Sequence, residues 1–236
     1  MRKKERVRKR NEDPHSLFIP DYFRGPFDVS MIKRAKENGI LDIELVDLRD
    51  FAEGKHKKVD DRPYGGGPGM VLMPRPLCTA IRYLKTPKTR VIHLSPQGSL
   101  LTAKTCERLA VEDHLLLVCG HYEGIDQRVI DAEIDEEISI GDYVLTNGCL
   151  SSIVLVDAVS RFIPGVIGNE EAAYQDSFQE GVFDGPHYTK PYDFEGSVVP
   201  SVLSSGHHEE IRKWKYQQAL QKTKKVRPDL LSETTS

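Results

Sequence analysis

The chain has 236 residues, 39% of them hydrophobic and 29% charged, with 33 Lys and Arg against 36 Asp and Glu. That length allows one or two domains with a real core, and the net charge of −3 excludes a uniformly basic nucleic-acid-binding protein. No apolar run approaches the roughly 18 residues of a membrane span. The four widely spaced cysteines are typical of thiols in a reducing compartment. We therefore expect a cytoplasmic protein with no membrane partner and no metal site.

Short apolar runs alternate with helical patterns between residue 16 and about residue 165. In chain order, these elements are a helix at 30–38, a strand at 41–45, a strand at 91–94, a helix at 102–110, a strand at 115–119, a strand at 137–140 and a helix at 150–162. The near-continuous apolar strands are typical of parallel strands covered on both faces. The alternation predicts an α/β fold with a parallel sheet.

The C-terminal part has a different pattern. Residues 164–204 show no clear period and are interpreted as a long connecting segment, whereas 205–225 are predicted to form one helix. Glu209 and Glu210 lie in its first turn and lysines in its last, which suits the helix dipole. The predicted divisions are a basic, disordered tail at 1–15, an α/β domain at 16–167, a linker at 168–203 and a C-terminal helical domain at 204–236.

Three glycine-containing loops follow consecutive predicted strands, at 94–98, 120–124 and 141–148. In open α/β sheets ligands bind outside the carboxyl ends of the strands. A single such loop is more often an ordinary tight turn, but three in succession favour a ligand site. The loops contain no Lys or Arg and fit neither the P-loop nor the dinucleotide-binding pattern. They favour an uncharged, nucleoside-like ligand.

A fourth loop contains Asp60, Asp61 and Arg62 followed by a Gly- and Pro-rich run. The charged cluster is either a solvated turn or a substrate-positioning group, because arginine and carboxylate side chains orient polar ligands. Arg161 and Asp176 are further candidates. By residue type alone, both are more often partners in surface ion pairs.

Four segments together resemble one family, the bacterial tRNA (guanine-N1)-methyltransferases of the knotted SPOUT superfamily. They are VDDRPYGGGPGM at 59–70, LSPQG at 94–98, CGHYEGIDQR at 119–128 and ISIGDYVL at 138–145. The segment DAVSRFIPGV at 157–166 also fits, and the resemblance extends from about residue 16 to residue 230.

The resemblance implies a SPOUT domain whose parallel sheet carries a deep trefoil knot, formed by about residues 90–165, and a small helical domain that binds the tRNA anticodon stem-loop. It implies a homodimer with active sites at the interface. S-adenosylmethionine would be the methyl donor, and N1 of the guanosine at tRNA position 37, just 3′ of the anticodon, the acceptor. Magnesium stimulates relatives, so it is a second candidate cofactor.

The resemblance also assigns residues to roles. Asp176 would be the general base and Arg161 its substrate-orienting partner. Substrate contacts would come from Asp60, Asp61, Arg62 and Gly66. The cofactor would be bound by residues of the three loops, namely Leu94, Ser95, Pro96, Gly120, Tyr122, Glu123, Ile140, Gly141, Tyr143, Leu145 and Gly148.

The termini depart from the family pattern. Val7 is the only hydrophobic residue in 2–14, where relatives have a short apolar strand, and the C-terminal domain is expected to be shortened. Two alternatives stay open. One is a knotted methyltransferase that acts on a ribose hydroxyl, and the other is an inactive protein that binds RNA or the cofactor without turnover.

Overall fold

The structure, a computed structural model, describes residues 22, 23 and 25–232, and of residues 170–172 and 232 only the backbone. The predicted tail at 1–15 lies outside the described residues. The helices are α1 Ser30–Glu37, α2 Pro74–Leu84, α3 Ala103–Ala110, α4 Gln127–Glu133, α5 Cys149–Ser160, α6 Glu170–Gln175, α7 His208–Val226 and α8 Asp229–Ser232. The strands are β1 Asp60–Asp61, β2 Val71–Leu72, β3 Thr89–Leu100, β4 His114–Cys119, β5 Glu136–Ser139, β6 Asp193–Phe194 and β7 Ser197–Val198.

A parallel sheet organises the first compact unit, which ends at Val166. Its strand order in the described part of the chain is β4-β3-β5, and both neighbours run parallel to β3. The predicted α/β class with a parallel sheet is therefore confirmed. The helix predicted at 102–110 is α3, which Thr102 caps by accepting a hydrogen bond from the Thr105 backbone N–H at 3.2 Å.

Helices cover both faces of this sheet, which explains the apolar runs in its strands. On one face α3 and α5 pack over Ile92 and Ile138, neither of which is exposed to solvent. On the other face α2 and α4 pack over Val91 and Val118. The alternation of buried residues along β3 thus divides its side chains between two cores.

One prediction for this unit is wrong, and two of its helices were not predicted. Residues 41–45 form no strand, although Leu41 and Ile43 do pack against a buried cluster that contains Phe27. Alternating apolar and polar residues are typical of an extended, half-buried segment. A strand also needs a neighbouring strand to which it is hydrogen-bonded, and none of the described residues supplies one for 41–45. Helices α2 and α4 were not predicted, because α2 begins with two prolines and α4 has only seven residues.

The segment at 94–98 is not a simple loop. It lies inside β3 as an irregularity, and the register to β5 shifts between Leu94 and Ser99. Ile138 pairs with both of these residues, so the chain departs from β5 and returns to it. Gly98 lies in this irregularity, and it is so close to Glu137 that a Cβ at residue 98 would lie 2.4 Å from the Glu137 carbonyl carbon.

The second compact unit begins at Ile167. The connecting segment predicted without regular structure contains α6 and the antiparallel pair β6–β7, each too short for a sequence period to reveal. The long helix predicted at 205–225 is α7, with Glu209 and Glu210 in its first turn as expected. Among the described residues, no helix is both long enough and apolar enough to cross a membrane.

Candidate active site

The three loops predicted to bind a ligand come together around one cavity of about 340 Å³ in the first unit. Two of them follow the carboxyl ends of β4 and β5, which lie at one edge of the sheet, and the third is the irregularity at 94–98 within β3, the strand between those two. All eleven residues that the resemblance assigned to the cofactor line this cavity, namely Leu94, Ser95, Pro96, Gly120, Tyr122, Glu123, Ile140, Gly141, Tyr143, Leu145 and Gly148. The structure brings them together, whereas their role in binding remains a prediction.

Two of the loops are bonded directly to each other. The Gly148 backbone N–H donates to the Gly120 carbonyl at 2.8 Å. A Cβ at residue 148 would lie 2.9 Å from both the Cys119 Cα and the Gly120 nitrogen, so only glycine fits this contact. This close approach fixes the distance between the loop after β4 and the loop that leads into α5.

The loop after β5 turns on Gly141, which has a φ of +151°. Ser139 Oγ accepts from the Gly141 N–H at 3.2 Å and donates to the Gly141 carbonyl at 3.0 Å. The hydroxyl of Tyr143 donates to the Ile140 carbonyl at 3.3 Å, which folds the ring over the turn. These local bonds hold an aromatic side chain, itself 55% exposed, at the mouth of the cavity.

The chemistry of the lining fits the predicted nucleoside without phosphate groups, and its acidic residues, which the prediction of an uncharged ligand did not consider, also suit cationic groups attached to that nucleoside. Among the described residues around the cavity none is Lys or Arg, and Glu123 and Glu137 supply negative charge. The buried Glu137 Oε1 and His121 Nδ1 have no hydrogen-bond partner within the described part of the protein. Unpaired buried polar atoms are costly, so these two are suited to bind a polar ligand. S-adenosylmethionine, with its sulfonium and ammonium groups, matches this set.

Sequence reasoning assigned no role to several polar residues of the cavity, among them His93, His121 and Glu137. His93 is only 4% exposed, its Nδ1 lies 3.0 Å from the Val118 carbonyl oxygen, and burial lowers its pKa. Burial also lowers the pKa of His121, although the charge of Asp60 opposes this shift. A histidine inside an otherwise apolar strand was the available signal for His93.

The loop at 60–70 lies beside the cavity wall. The Glu123 backbone N–H donates to the Met70 carbonyl at 3.1 Å, and Gly69 is packed against the Glu123 side chain. Asp61 is exposed and forms an ion pair with Lys58, whose Nζ lies 3.0 Å from Asp61 Oδ2. The hydrogen bond that Lys58 donates in this pair, followed by the one from the Arg62 backbone N–H, lowers the pKa of Asp61.

Substrate-contact roles for this loop remain predictions. Asp60 and Asp61 form β1, and Arg62 and Gly66 follow in the turn, where Gly66 has a φ of +78°. The positive φ is a conformation that glycine adopts without strain.

The two predicted catalytic residues occupy different units, and each is placed by a helix end. Arg161 is the C-terminal cap of α5 in the first unit. Asp176 follows directly after α6 in the second unit and is half-buried. Among the described residues no three His, Cys, Asp or Glu side chains gather in a metal-binding arrangement.

Comparison with known proteins identifies the family. The family model described as tRNA (Guanine-1)-methyltransferase TrmD matches residues 15–233. The chain is 64% identical over 217 residues to a tRNA (guanine-N(1)-)-methyltransferase of Protochlamydia amoebophila, which covers 92% of this chain and 97% of that protein. The chain belongs to the tRNA (guanine-N1)-methyltransferase family.

Other members of this family are similar over the same region. A tRNA (guanine-N(1)-)-methyltransferase of Chlamydia pneumoniae is 54% identical over 215 residues, which is 91% of this chain but 59% of that protein. One of Dictyoglomus turgidum is 51% identical over 217 residues, 92% of this chain and 88% of that protein. The family predicted from the loop motifs is thus confirmed, and membership implies the SPOUT fold.

Proposed function

We propose that this enzyme, a tRNA (guanine-N1)-methyltransferase by its family, transfers the methyl group of S-adenosylmethionine to N1 of the guanosine at tRNA position 37, in the cytoplasm. The observation that carries the proposal is the cavity, where three glycine-containing loops meet without a Lys or Arg among the described lining residues. When bound, the cofactor supplies an electrophilic methyl group. The loops would hold its nucleoside through backbone groups and the Tyr122 and Tyr143 rings.

The second half of the proposal concerns the proton on guanine N1. The N1 lone pair becomes available for the methyl group only as this proton leaves. A carboxylate within hydrogen-bond reach accelerates such a step by typically 10²–10⁴-fold. Asp176 would accept the proton, and Arg161 would stabilise the negative charge that spreads toward guanine O6. A solvated aspartate is a weak base, so we expect the site to exclude water once tRNA has bound.

The target base must leave its stack before its Watson–Crick edge is accessible. An anticodon loop makes this step inexpensive, because its bases are not held in a duplex. The basic side chains of α7 would contact the phosphates of the stem-loop. Asp60, Asp61, Arg62 and Gly66 would border the bound guanosine, since their loop adjoins the cavity wall at Glu123.

We also propose that the enzyme is a homodimer in which one subunit supplies the cavity and the other supplies Asp176. The family resemblance supports this arrangement, as it supports a trefoil knot in residues 90–165. We propose magnesium only as an ion that stimulates the reaction. Methyl-transfer rates measured with magnesium and with a chelator will test this role.

The experiment uses labelled S-adenosylmethionine and an unmodified tRNA transcript with guanosine at position 37. A transcript with adenosine at that position is the matched control. We expect label only in the first transcript, recovered as N1-methylguanosine after digestion. Label on a ribose hydroxyl would favour the alternative knotted methyltransferase. Cofactor binding without transfer would favour an inactive binding protein.

A further inference from the structure

A hydrogen-bonded chain of three side chains follows Asp176 in the second unit. The Ser177 hydroxyl donates to Asp184 Oδ1, and the Asp184 backbone N–H donates back to Ser177 Oγ at 3.0 Å. His187 Nε2 lies 2.9 Å from Asp184 Oδ2. Both oxygens of the Asp184 carboxylate are therefore engaged. The hydrogen bond from Ser177, followed by that from His187, lowers the pKa of Asp184.

These bonds close a short loop, 177–184, at its neck. Inside the loop, Phe178 has a left-handed φ of +81°, and its N–H donates to the Val182 carbonyl at 2.8 Å. The rings of Phe178 and Phe183 meet edge to face, with centroids 5.7 Å apart. The Phe183 N–H donates to Thr223 Oγ1 at 2.9 Å, which fixes the loop to α7. The loop is thus closed at its neck and anchored to α7 beside that neck.

Asp176 is placed directly between this loop and the end of α6 at Gln175. We propose that Ser177, Asp184 and His187 are positioning residues, which hold the backbone at Asp176 so that its carboxylate has a fixed direction toward guanine N1. The inference rests on the proposed role of Asp176 as the base. The need for such support is physical, because a displacement of about 1 Å in a reacting group costs about 10²-fold in rate.

Asp184 is a poor candidate for the base itself. Its two oxygens already accept hydrogen bonds from Ser177 and from the ring of His187, which stabilise the ionised carboxylate and make it a weaker base. His187 is largely exposed and bonds to the carboxylate from the solvent side. The cluster therefore acts through Asp176 rather than on the guanine.

The test compares single-turnover methyl transfer by four variants in the full-length enzyme. Asp184→Asn and Ser177→Ala should lower the rate about 10- to 100-fold, with the KM for tRNA and the melting temperature unchanged. Ser177→Thr keeps the hydroxyl and should recover most of the rate. Glu180→Gln is the matched control, since Glu180 is an exposed carboxylate in the same loop, and it should behave as the wild type.

The variant Asp176→Asn, measured in parallel, separates this inference from the proposed function. If the cluster acts through Asp176, adding Asp184→Asn to Asp176→Asn causes no further loss. Full activity of Asp176→Asn would overturn the base and the positioning roles together. An inactive Asp176→Asn beside wild-type rates for Asp184→Asn and Ser177→Ala would overturn only the positioning roles. So would a loss of rate that is matched by an equal loss of tRNA affinity or by a fall in melting temperature.

Discussion

At the scale of single residues, Gly148 joins two walls of the cavity because it lacks a side chain. Its backbone N–H reaches the Gly120 carbonyl, and the space where a Cβ would stand is occupied by backbone atoms of Cys119 and Gly120. These backbone atoms cannot move away by a change of rotamer, as the end of a flexible side chain can. The loops must therefore separate if residue 148 gains a methyl group.

We predict that Gly148→Ala weakens S-adenosylmethionine binding about tenfold or more, since overpacking of this kind costs about 1–3 kcal/mol. Isothermal titration calorimetry measures the affinity directly. Gly168→Ala is the control, because a Cβ at residue 168 would meet no atom within 4 Å. Equal affinities for the two variants would show that the Gly148 contact does not shape the cofactor site.

His93 gives a prediction about pH and stability. Burial lowers its pKa in the folded protein, so below the ordinary value of about 6.5 the unfolded chain binds more protons than the folded one. The free energy of unfolding should therefore fall as the pH drops through about 6.5. Urea unfolding measures the free energy of unfolding at pH 7.5 and at pH 5.5, and the difference between these two values should be smaller for His93→Gln than for the wild type. The exposed control His56→Gln should show the same difference as the wild type. If His93→Gln also shows the wild-type difference, His93 is not the source of this pH dependence.

At the scale of elements, sequence patterns located most of those with a readable period, although they missed the eleven-residue α2, which contains two prolines in its first turn. Helix α3, with its Thr102 cap, and the long α7 fell within a few residues of their predicted bounds. Helix α4 was missed because seven residues hold barely two turns. The strand predicted at 41–45 was wrong because pairing depends on a neighbour that the local pattern does not contain.

Helix α7 also gives a prediction about tRNA affinity. Arg212 and Lys213 are exposed on it, whereas Trp214 is half-buried with its ring 6.3 Å from that of Tyr188. We expect tRNA affinity to fall steeply with salt, and the double substitution of Arg212 and Lys213 by Gln to reduce the slope of log K against log salt by roughly 1–2. Exchange of the two residues as Arg212→Lys and Lys213→Arg keeps the charge and should keep the slope. An unchanged slope after removal of the charges would place the tRNA elsewhere.

At the scale of the whole molecule, the cavity and its chemical character could be anticipated from sequence, but the side chains proposed to position Asp176 could not. Three glycine loops after consecutive strands predict a shared edge, which is where the cavity lies. Nothing in the residue types near Asp176 distinguishes a base from a surface carboxylate. The hydrogen bonds between Ser177 and Asp184 depend on loop closure, which no sequence period encodes.

The proposed dimer predicts complementation between Asp176→Asn and Gly148→Ala when transfer is assayed at an S-adenosylmethionine concentration far below the Kd of Gly148→Ala. Asp176→Asn retains an intact cavity and Gly148→Ala retains an intact carboxylate, so a mixed dimer contains one complete site. Co-expression with two different affinity tags should restore about a quarter of the wild-type rate when subunits pair at random. The same two proteins purified separately and mixed without subunit exchange are the control. No recovery in a verified mixed dimer would mean that each subunit carries its own complete site.

The most direct test of the central claim is single-turnover methyl transfer by Asp176→Asn, with cofactor affinity measured on the same preparation. If the Asp176 carboxylate removes the N1 proton, the rate should fall by about 10²-fold or more, while S-adenosylmethionine binds with nearly wild-type affinity. A transfer rate close to that of the wild type would contradict the account, because the proton would then leave without this carboxylate.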